Sequence, residues 1–457
     1  MKSTDMNRRD FLKLNASLAL SSSSLLSVLG AFTSAHADTL TDYKAIVCVF
    51  LEGGNDAYNM IVPTSDMAHT DYQKIRGTLA IPKDQLLPLK NTDYGIFNMP
   101  NMQEMFNNDK LAIVANVGTL IKPINKNEFE TGATNPPQLF SHIDQQKQWM
   151  TANSSTIEQS GWAARAANTF PNNNDFTNIS VDGSNFMQSG GQKPTFEISG
   201  TINRFNNYGY INNPVSSSDF DEILHKIIDR EVDHENLLIK AYAQNQIKNI
   251  SYRESMSAAI ENAGDFNFTS TLDNETGTPF AKQLELIAKL ISIREELTTS
   301  PKRQIFFARL HGFDHHDFQV ADHPKKLRYL NDTLSEFQAA LDTLGLSDKV
   351  TTFTNSDFGR SLVPNGNGTD HGWGGHAIVM GGAVKGGQIY GSIPDLKITT
   401  NGYTSDHITD NGRVIPTLST EQYLSTITSW FTGYSESQLE NIFPNLVNFN
   451  EKNLGFV

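Results

Sequence analysis

The stretch that decides the fold is "YKAIVCVFLEGGNDAYNMIVP", Tyr43–Pro63. It begins with an unbroken run of apolar, largely β-branched residues, which is typical of a strand buried on both faces of a parallel sheet. The run ends at two glycines followed by Asn55 and Asp56. This pattern predicts a central strand with polar residues at its carboxyl end.

Similar strands recur along the 457-residue chain, and amphipathic helices separate them. "KLAIVANVG" (110–118), "RQIFFARL" (303–310), "DKVTTFTNS" (348–356) and "HAIVMGG" (376–382) read as strands. Helices are expected near Met99–Asn107, from Ser141, at 279–297, at 323–345 and, behind a Ser419/Gln422 capping box, at Thr420–Phe431. We therefore predict an α/β fold, a three-layer α/β/α sandwich around a mostly parallel sheet.

The N-terminus carries the pattern of an export signal. Arg8 and Arg9 precede a serine-rich apolar segment that ends in Ala35-His36-Ala37, which is typical of a cleaved twin-arginine signal peptide. We expect residues 1–37 to be removed, the twin-arginine translocase to be the export partner, and the protein to be periplasmic or secreted. Residues 38–457 then form one domain, with a helical and loop insertion at about residues 172–300, and no stable membrane span.

Composition excludes some classes of function. The net charge is −14 and no basic stripe occurs, so a nucleic-acid partner is not expected. The single cysteine, Cys48, lies in the apolar run and excludes an intrachain disulfide or a cysteine-based zinc cluster. We expect it to be a buried small apolar residue.

Carboxylates and imidazoles follow several of the predicted strands. They are Asp56 after the first, Asp314, His315 and His316 after 303–310, Asp357 with Arg360 after 348–356, and Asp370, His371 and His376 around the start of the last. Ser141, His142 and Asp144 stand at a helix start. Since ligands of open α/β sheets bind beyond the carboxyl ends of strands, these groups are expected to converge. One or two divalent ions, zinc or else manganese or calcium, fit such nitrogen and oxygen ligands.

Five motifs resemble an exported bacterial family, domain of unknown function 1501, which is placed among the alkaline phosphatase-like (sulfatase-like) folds. They are "FLEGGNDAYNMIVP" (50–63), "SHIDQQKQW" (141–149), "GFDHHDFQ" (312–319), "SDFGRS" (356–361) and "TDHGWGGHAIVMGGAVKGGQIYG" (369–391). The resemblance implies a metal-dependent hydrolase of phosphate or sulfate esters. It places Asp56, Asp314, His316, Asp357 and His371 as metal ligands and Ser141 as the nucleophile.

The sequence departs from that pattern at one position. Phe358 stands where the superfamily has a second-site histidine after Asp357, so Asp370 or His376 would have to replace it, or the second metal is absent. His315 is a further, weaker ligand candidate. No sulfatase signature surrounds Cys48 or Ser141. The expected function is therefore hydrolysis of a small anionic phosphate-type ester, with Arg360 steadying the anion, and the alternative is a non-catalytic periplasmic binding module.

Overall fold

The computed structural model describes residues 42–132, 134–156, 160–170, 176–192, 195–198, 235–261, 263–297 and 299–457. Its strands are β1 (Lys44–Leu51), β2 (Ile61–Pro63), β3 (Leu86–Pro88), β4 (Tyr94–Phe97), β5 (Leu111–Gly118), β6 (Asn178–Ser180), β7 (Phe196–Glu197), β8 (Arg303–Leu310), β9 (Val350–Ser356), β10 (Arg360–Pro364), β11 (Thr369–His371), β12 (Gly375–Met380), β13 (Ile389–Tyr390), β14 (Ile398–Thr399), β15 (Gly402–Tyr403) and β16 (Leu418–Ser419). Its α-helices are α1 (Asp66–Arg76), α2 (Pro100–Asn107), α3 (Lys126–Thr131), α4 (His142–Thr151), α5 (Trp162–Asn168), α6 (Leu237–Glu261), α7 (Phe280–Ser292), α8 (Gln319–Thr343), α9 (Thr420–Thr432) and α10 (Glu436–Glu440).

A nine-stranded sheet forms the centre of the fold, in the order β13-β5-β12-β9-β1-β8-β6-β7, with β16 also paired to β5. β1 lies between β8 and β9 and is parallel to both. β12 is antiparallel to its two neighbours, β5 and β9. The sheet is therefore mostly parallel, as predicted.

Helices cover both faces of this sheet. Successive side chains of β1 enter two different cores, Val47 on one face and Cys48 on the other, because neighbouring residues of a strand point in opposite directions. The core that contains Val47 is completed by α7 and α8, and the core that contains Cys48 by α5 and α9. The α/β fold with helical layers on both sides of the sheet is thus confirmed.

Local sequence signals agree well with the observed ends of the elements. The Ser419/Gln422 capping box is formed at the start of α9, where the Ser419 side chain accepts from the Gln422 backbone nitrogen and the Gln422 side chain accepts from the Ser419 nitrogen. Cys48 is a buried free cysteine. No helix in the described part of the chain is long and apolar enough to cross a membrane.

The region of the predicted insertion contains a short strand of the central sheet. This strand, β6, pairs in parallel with β8 and so extends the sheet. The signal sequence at residues 1–37 and residues 199–234 of the insertion lie outside the described residues. The limits of the insertion stay a prediction.

Candidate metal centre

Four polar side chains meet at the carboxyl end of the sheet: His142, Asp314, His316 and His371. Ligand atoms of His142, Asp314 and His371 all lie within 4.8 Å of one another. The His371 Nε2 is 3.1 Å from the Nε2 of His142 and 2.9 Å from the Nε2 of His316. His316 Nε2 is also 3.1 Å from Asp314 Oδ1. We call these four residues the cluster.

Three different parts of the fold carry the cluster. His142 is the first residue of α4, Asp314 and His316 follow β8, and His371 ends β11. The hairpin of β10 and β11 pairs His371 with Arg360, which brings the histidine over the end of β9. The convergence therefore depends on the sheet order and cannot be seen in any one segment of sequence.

A glycine allows the loops after β1 and β8 to come close together. Gly53 has φ +112°, and a Cβ there would lie 2.4 Å from the backbone nitrogen of Asp314. Any other residue would displace the segment that carries this cluster member, since real Cβ contacts are not so short. The first of the two glycines that end the first predicted strand thus serves the site directly.

Two imidazoles of the cluster, those of His142 and His371, have a hydrogen-bond acceptor at their other ring nitrogen, whereas the Nδ1 of His316 lies 3.5 Å from the amide nitrogen of Asn365. His142 Nδ1 is 2.7 Å from Asp357 Oδ2, and His371 Nδ1 is 2.7 Å from the carbonyl oxygen of Phe140. His316 Nδ1 lies 3.6 Å from Asp370 Oδ1. Because a carbonyl only accepts, Nδ1 of His371 carries the proton and its Nε2 presents a lone pair to the cluster. Such outer acceptors are typical of histidines that bind metals.

The cluster is open on one side. The exposed fractions of the side chains are 45% for His316, 40% for Asp314, 30% for His142 and 22% for His371. Structural metal sites are usually closed, whereas catalytic sites keep a position for water or substrate. The exposure therefore resembles that of a catalytic site.

Burial and neighbouring charges shift the pKa values of the cluster residues, upward for His142 and downward for His371 and Asp314. The hydrogen bond from His142 to Asp357 raises the pKa of His142 above its usual value. Burial lowers the pKa of His371. Burial would raise the pKa of Asp314, but the hydrogen bond and charge of Arg360 outweigh it, so this pKa lies below its usual value. Asp314 is thus an anion at neutral pH and His371 is neutral.

Asp357 contacts the cluster from behind. It is fully buried and accepts hydrogen bonds from His142, from the Gly53 backbone nitrogen at 3.0 Å and from Gln146 Nε2 at 3.0 Å. Its two oxygens are therefore occupied by protein donors. The structure places Asp357 as the residue that orients His142, and not among the converging ligand atoms.

Arg360 is also buried, and it contacts the cluster through Asp314. Its Nη1 donates to Asp314 Oδ1 at 2.6 Å and to the Gly53 carbonyl at 3.2 Å, and its Nε and Nη2 donate to Thr369. Only 1% of the residue is exposed. This geometry has Arg360 holding Asp314, whereas the sequence predicted a contact with a bound anion.

Three other candidate ligands lie apart from the cluster. Asp56 is fully buried and accepts from Arg76 and Gln319. His376 is buried on β12, where its Nδ1 accepts from the Asn116 backbone nitrogen, and burial lowers its pKa to about 3. Burial also lowers the pKa of His315 to about 3, and neither of its ring nitrogens has a partner among the described residues. The structure does not bring these three side chains to the cluster.

Phe358 stands at the position where the resemblance implies a histidine ligand for a second metal ion. Its buried ring packs against His142 and His371, with centroids 4.8 Å and 4.6 Å apart. An aromatic ring offers no ligand atom and fixes the orientation of both imidazoles. The side of the cluster that faces Phe358 is therefore apolar.

Ser141 stands at the N-cap of α4, directly before His142. Its hydroxyl donates to Asp144 Oδ2 at 2.6 Å instead of accepting from the helix backbone. A nucleophilic serine in an enzyme commonly donates its proton to a neighbouring base, and the Asp144 carboxylate holds the position of that base here. The geometry is compatible with the predicted role but the described contacts do not test it.

His142 belongs to the cluster although the sequence did not single it out as a ligand. It is 172 residues from Asp314 by number, and no local spacing connects the two. The usable signal was its position at a helix start beside the predicted nucleophile. Such a position can be recognised only once that helix is placed at the sheet edge.

The donor set fits a divalent metal ion. Three imidazole nitrogens and one carboxylate oxygen suit zinc, which binds histidine and carboxylate ligands in tetrahedral sites. Calcium and manganese favour oxygen-rich sets, so they fit less well. Among the described residues there is thus one possible metal site, with more nitrogen than oxygen ligands.

Comparisons with known proteins give low similarity. Among curated proteins, none matches the chain in sequence. The protein Ps i-CgsB, crystallised with k-i-k-neocarrahexaose, aligns with 90% of this chain and 78% of its own at 10% identity and a TM-score of 0.37. The lipoteichoic acid synthase LtaP from Listeria monocytogenes aligns with 74% of this chain and 65% of its own, at 10% identity and a TM-score of 0.31.

A variant of the alkaline phosphatase PafA aligns with 70% of this chain and 64% of its own, at 10% identity and a TM-score of 0.29. Scores in this range do not support an inference about activity. One family model does match in sequence, and its match includes Asp314, His316 and His371 of the cluster but not His142. Over residues 252–428 the chain is similar to the family described as protein of unknown function, DUF1501.

Proposed function

We propose that this protein is an exported hydrolase of phosphate-type esters that depends on one divalent metal ion, zinc by preference, held by His142, Asp314, His316 and His371. The observation that carries the proposal is the group of His142, Asp314 and His371, whose ligand atoms lie within 4.8 Å of one another, with His316 Nε2 2.9 Å from His371 Nε2. We also propose that the chain belongs to the DUF1501 family. The family model matches residues 252–428, and the motifs at 50–63 and 141–149, which resemble the same family, precede that segment.

The nitrogen contacts within the cluster require a proton or a metal ion between them. The Nε2 of His371 presents a lone pair, and two other imidazole nitrogens approach it at 2.9 Å and 3.1 Å. Lone pairs at such distances repel unless a proton or a metal ion lies between them. The adjacent anionic Asp314 adds further attraction for a cation.

One ion, and not two, follows from the surroundings of Phe358. Its ring covers the side of His142 and His371 that a second site would need, and the described residues offer one group of three or more possible ligands within 4.8 Å. Asp56, the predicted ligand from the first strand, is engaged with Arg76. The proposed centre is therefore mononuclear.

A divalent ion in this position would supply Lewis acidity, which polarises an ester oxygen and stabilises developing negative charge. The protein's own groups would do the rest. Ser141 would attack the phosphate-type ester and displace its alcohol, Asp144 would accept the serine proton, and water would then release the acid from Ser141. The free backbone N–H groups at the start of α4 favour an anionic substrate. Asp357 and Arg360 keep His142 and Asp314 in place.

Export rests on the sequence alone. The paired Arg8 and Arg9, the serine-rich apolar segment and the Ala-His-Ala end form the pattern of a twin-arginine signal. This route carries folded proteins, which suits a chain that acquires its metal ion before it leaves the cytoplasm. We propose a periplasmic or secreted location on these grounds.

The experiment uses the full mature chain, loaded with one equivalent of Zn²⁺ and screened against phosphomonoesters, phosphodiesters and sulfate esters. We expect turnover of at least one phosphate-type ester, and loss of it in Ser141→Ala and His371→Ala. His407→Ala is the matched control, because His407 lies outside the cluster and should retain activity. Bound metal without turnover of any ester would contradict the hydrolase and favour the binding module.

A further inference from the structure

We infer that Asp56, buried away from the cluster, is a positioning residue for the metal centre that acts through a chain of hydrogen bonds ending on Asp314. This inference rests on the proposed metal centre and gives Asp56 a role other than the predicted one of ligand. The chain runs through Gln319, Thr369 and Arg360.

Every link of the chain is a hydrogen bond between two side chains. Gln319 Nε2 donates to Asp56 Oδ2. Thr369 Oγ1 donates to Gln319 Oε1 at 2.8 Å, and Arg360 Nε donates to Thr369 Oγ1 at 3.1 Å. Arg360 Nη1 then donates to Asp314 Oδ1 at 2.6 Å. The chain thus joins the loop after β1 to the cluster by way of α8, β11 and β10.

The two ends of the chain agree on the direction of every link, because Arg360 can only donate and the carboxylate of Asp56 accepts. A carboxylate can only accept, so the amide of Gln319 must turn its NH₂ toward Asp56 and its oxygen toward Thr369. The Thr369 hydroxyl must then donate to that oxygen, which leaves its lone pairs facing Arg360. Reversal of any one group would leave two donors or two acceptors in contact.

The chain is buried from Asp56 to Arg360, and only its end at Asp314 is exposed to water. The exposed fractions are 0% for Asp56 and Thr369 and 1% for Gln319 and Arg360. Hydrogen bonds are stronger and more directional in such surroundings, and an unpaired group there is costly. Asp56 is itself held by the fully buried Arg76, which also donates to backbone carbonyls of β10.

The far end of the chain determines how Asp314 meets the cluster. Arg360 holds Oδ1, and Oδ2 lies 3.4 Å from His142 Nε2. If Arg360 turned, the carboxylate would rotate and its distances to the imidazoles would change. Removal of groups behind a ligand commonly weakens metal binding by about 10–100-fold.

The experiment compares Thr369→Val, which removes a link, with Thr369→Ser, which keeps the hydroxyl. Gln319→Leu removes the link next to Asp56, at a residue that is three hydrogen bonds away from Asp314. The matched control is Thr351→Val, because Thr351 is a buried threonine whose hydroxyl has no partner among the described residues. All are made in the mature chain, and thermal melting shows whether each one folds.

Two measurements are made on each variant. The first is the affinity for Zn²⁺ by competition with a chelator, together with the visible spectrum of the Co²⁺ form, which reports ligand geometry. The second is the hydrogen-exchange rate of the Arg360 Nε–H in the metal-free protein, by NMR with labelled arginine. The second needs no metal, so it separates failure of this inference from failure of the proposed centre.

We expect Thr369→Val and Gln319→Leu to bind Zn²⁺ about tenfold more weakly, to alter the Co²⁺ spectrum and to speed exchange at Arg360 Nε. Thr369→Ser and Thr351→Val should resemble the unmodified protein. The inference is overturned if Gln319→Leu leaves exchange at Arg360 unchanged, or if Thr369→Val and Thr369→Ser behave alike. If the protein binds no Zn²⁺ but the variants show the expected exchange pattern, the proposed metal centre is refuted and the hydrogen-bond chain is supported.

Discussion

Replacement of Asp357 by asparagine tests whether a buried carboxylate that is not a ligand controls the metal centre. Asp357 accepts from His142 Nδ1 at 2.7 Å, and its other partners are the Gly53 nitrogen and Gln146. An asparagine of the same shape has one oxygen instead of two. It would either turn an NH₂ toward His142 Nδ1–H, where two donors meet, or leave the Gly53 nitrogen without an acceptor.

The expected loss can be sized from these contacts. Hydrogen bonds to a charged acceptor contribute about 1.5–3 kcal/mol, against about 1 kcal/mol for neutral pairs. Loss of an outer partner of a metal-binding histidine weakens metal affinity by about 10–100-fold, or about 1.4–2.8 kcal/mol. Both ranges lead us to expect a Zn²⁺ dissociation constant raised by at least about tenfold in Asp357→Asn.

The assay is competition for Zn²⁺ against a chelator at pH 8, where protons compete little with the metal for imidazole. Asp370→Asn is the control, because Asp370 is 58% exposed and lies 3.6 Å from His316 Nδ1. Such an exposed partner contributes at most about 1 kcal/mol, so its loss should weaken binding less than about fivefold. Equal losses in the two variants, or none in Asp357→Asn, would refute the reasoning.

Two further predictions concern the loops beside the centre. Gly53→Ala should weaken Zn²⁺ binding and lower the free energy of unfolding well beyond Gly132→Ala. Both glycines have positive φ, but a Cβ at position 53 meets backbone at 2.4 Å and one at position 132 meets nothing within 4 Å. Denaturant unfolding and metal titration check this, and equal losses in the two variants would contradict it. The carboxylates of Asp182 and Glu52 raise the pKa of His311 to about 9, so its ion pairs stabilise the fold fully below about pH 6.5 and lose that effect as the pH rises through about 9. The melting temperature should therefore fall more between pH 6.5 and 9 in the unmodified protein than in His311→Gln, and parallel curves would disprove this.

Local patterns in the sequence were sufficient for the elements of the fold. The apolar run of β1 predicted a strand buried on both faces, and all of its residues after Lys44 are buried. The capping box at Ser419 predicted the start of α9 to the residue. Both features depend on residues close together in the chain, which is why they can be read without a structure.

The site was predicted only in part because it depends on contacts between distant segments. Asp56 and Asp357 look alike in sequence, since each is an acid shortly after a buried strand. Asp56 meets Arg76 from α1, and Asp357 meets His142 from α4. Which partner reaches each carboxylate is decided by the packing of the helices, so the sequence pattern alone could not show that both lie outside the converging ligand atoms.

The central claim is that one divalent ion binds at the cluster, and native mass spectrometry of the mature protein with Zn²⁺ tests it most directly. We predict one ion per chain in the unmodified protein and in His407→Ala. We predict none in His142→Ala or Asp314→Ala at micromolar Zn²⁺. A folded unmodified protein that binds no ion, or a His142→Ala variant that still binds one as tightly, would contradict the account.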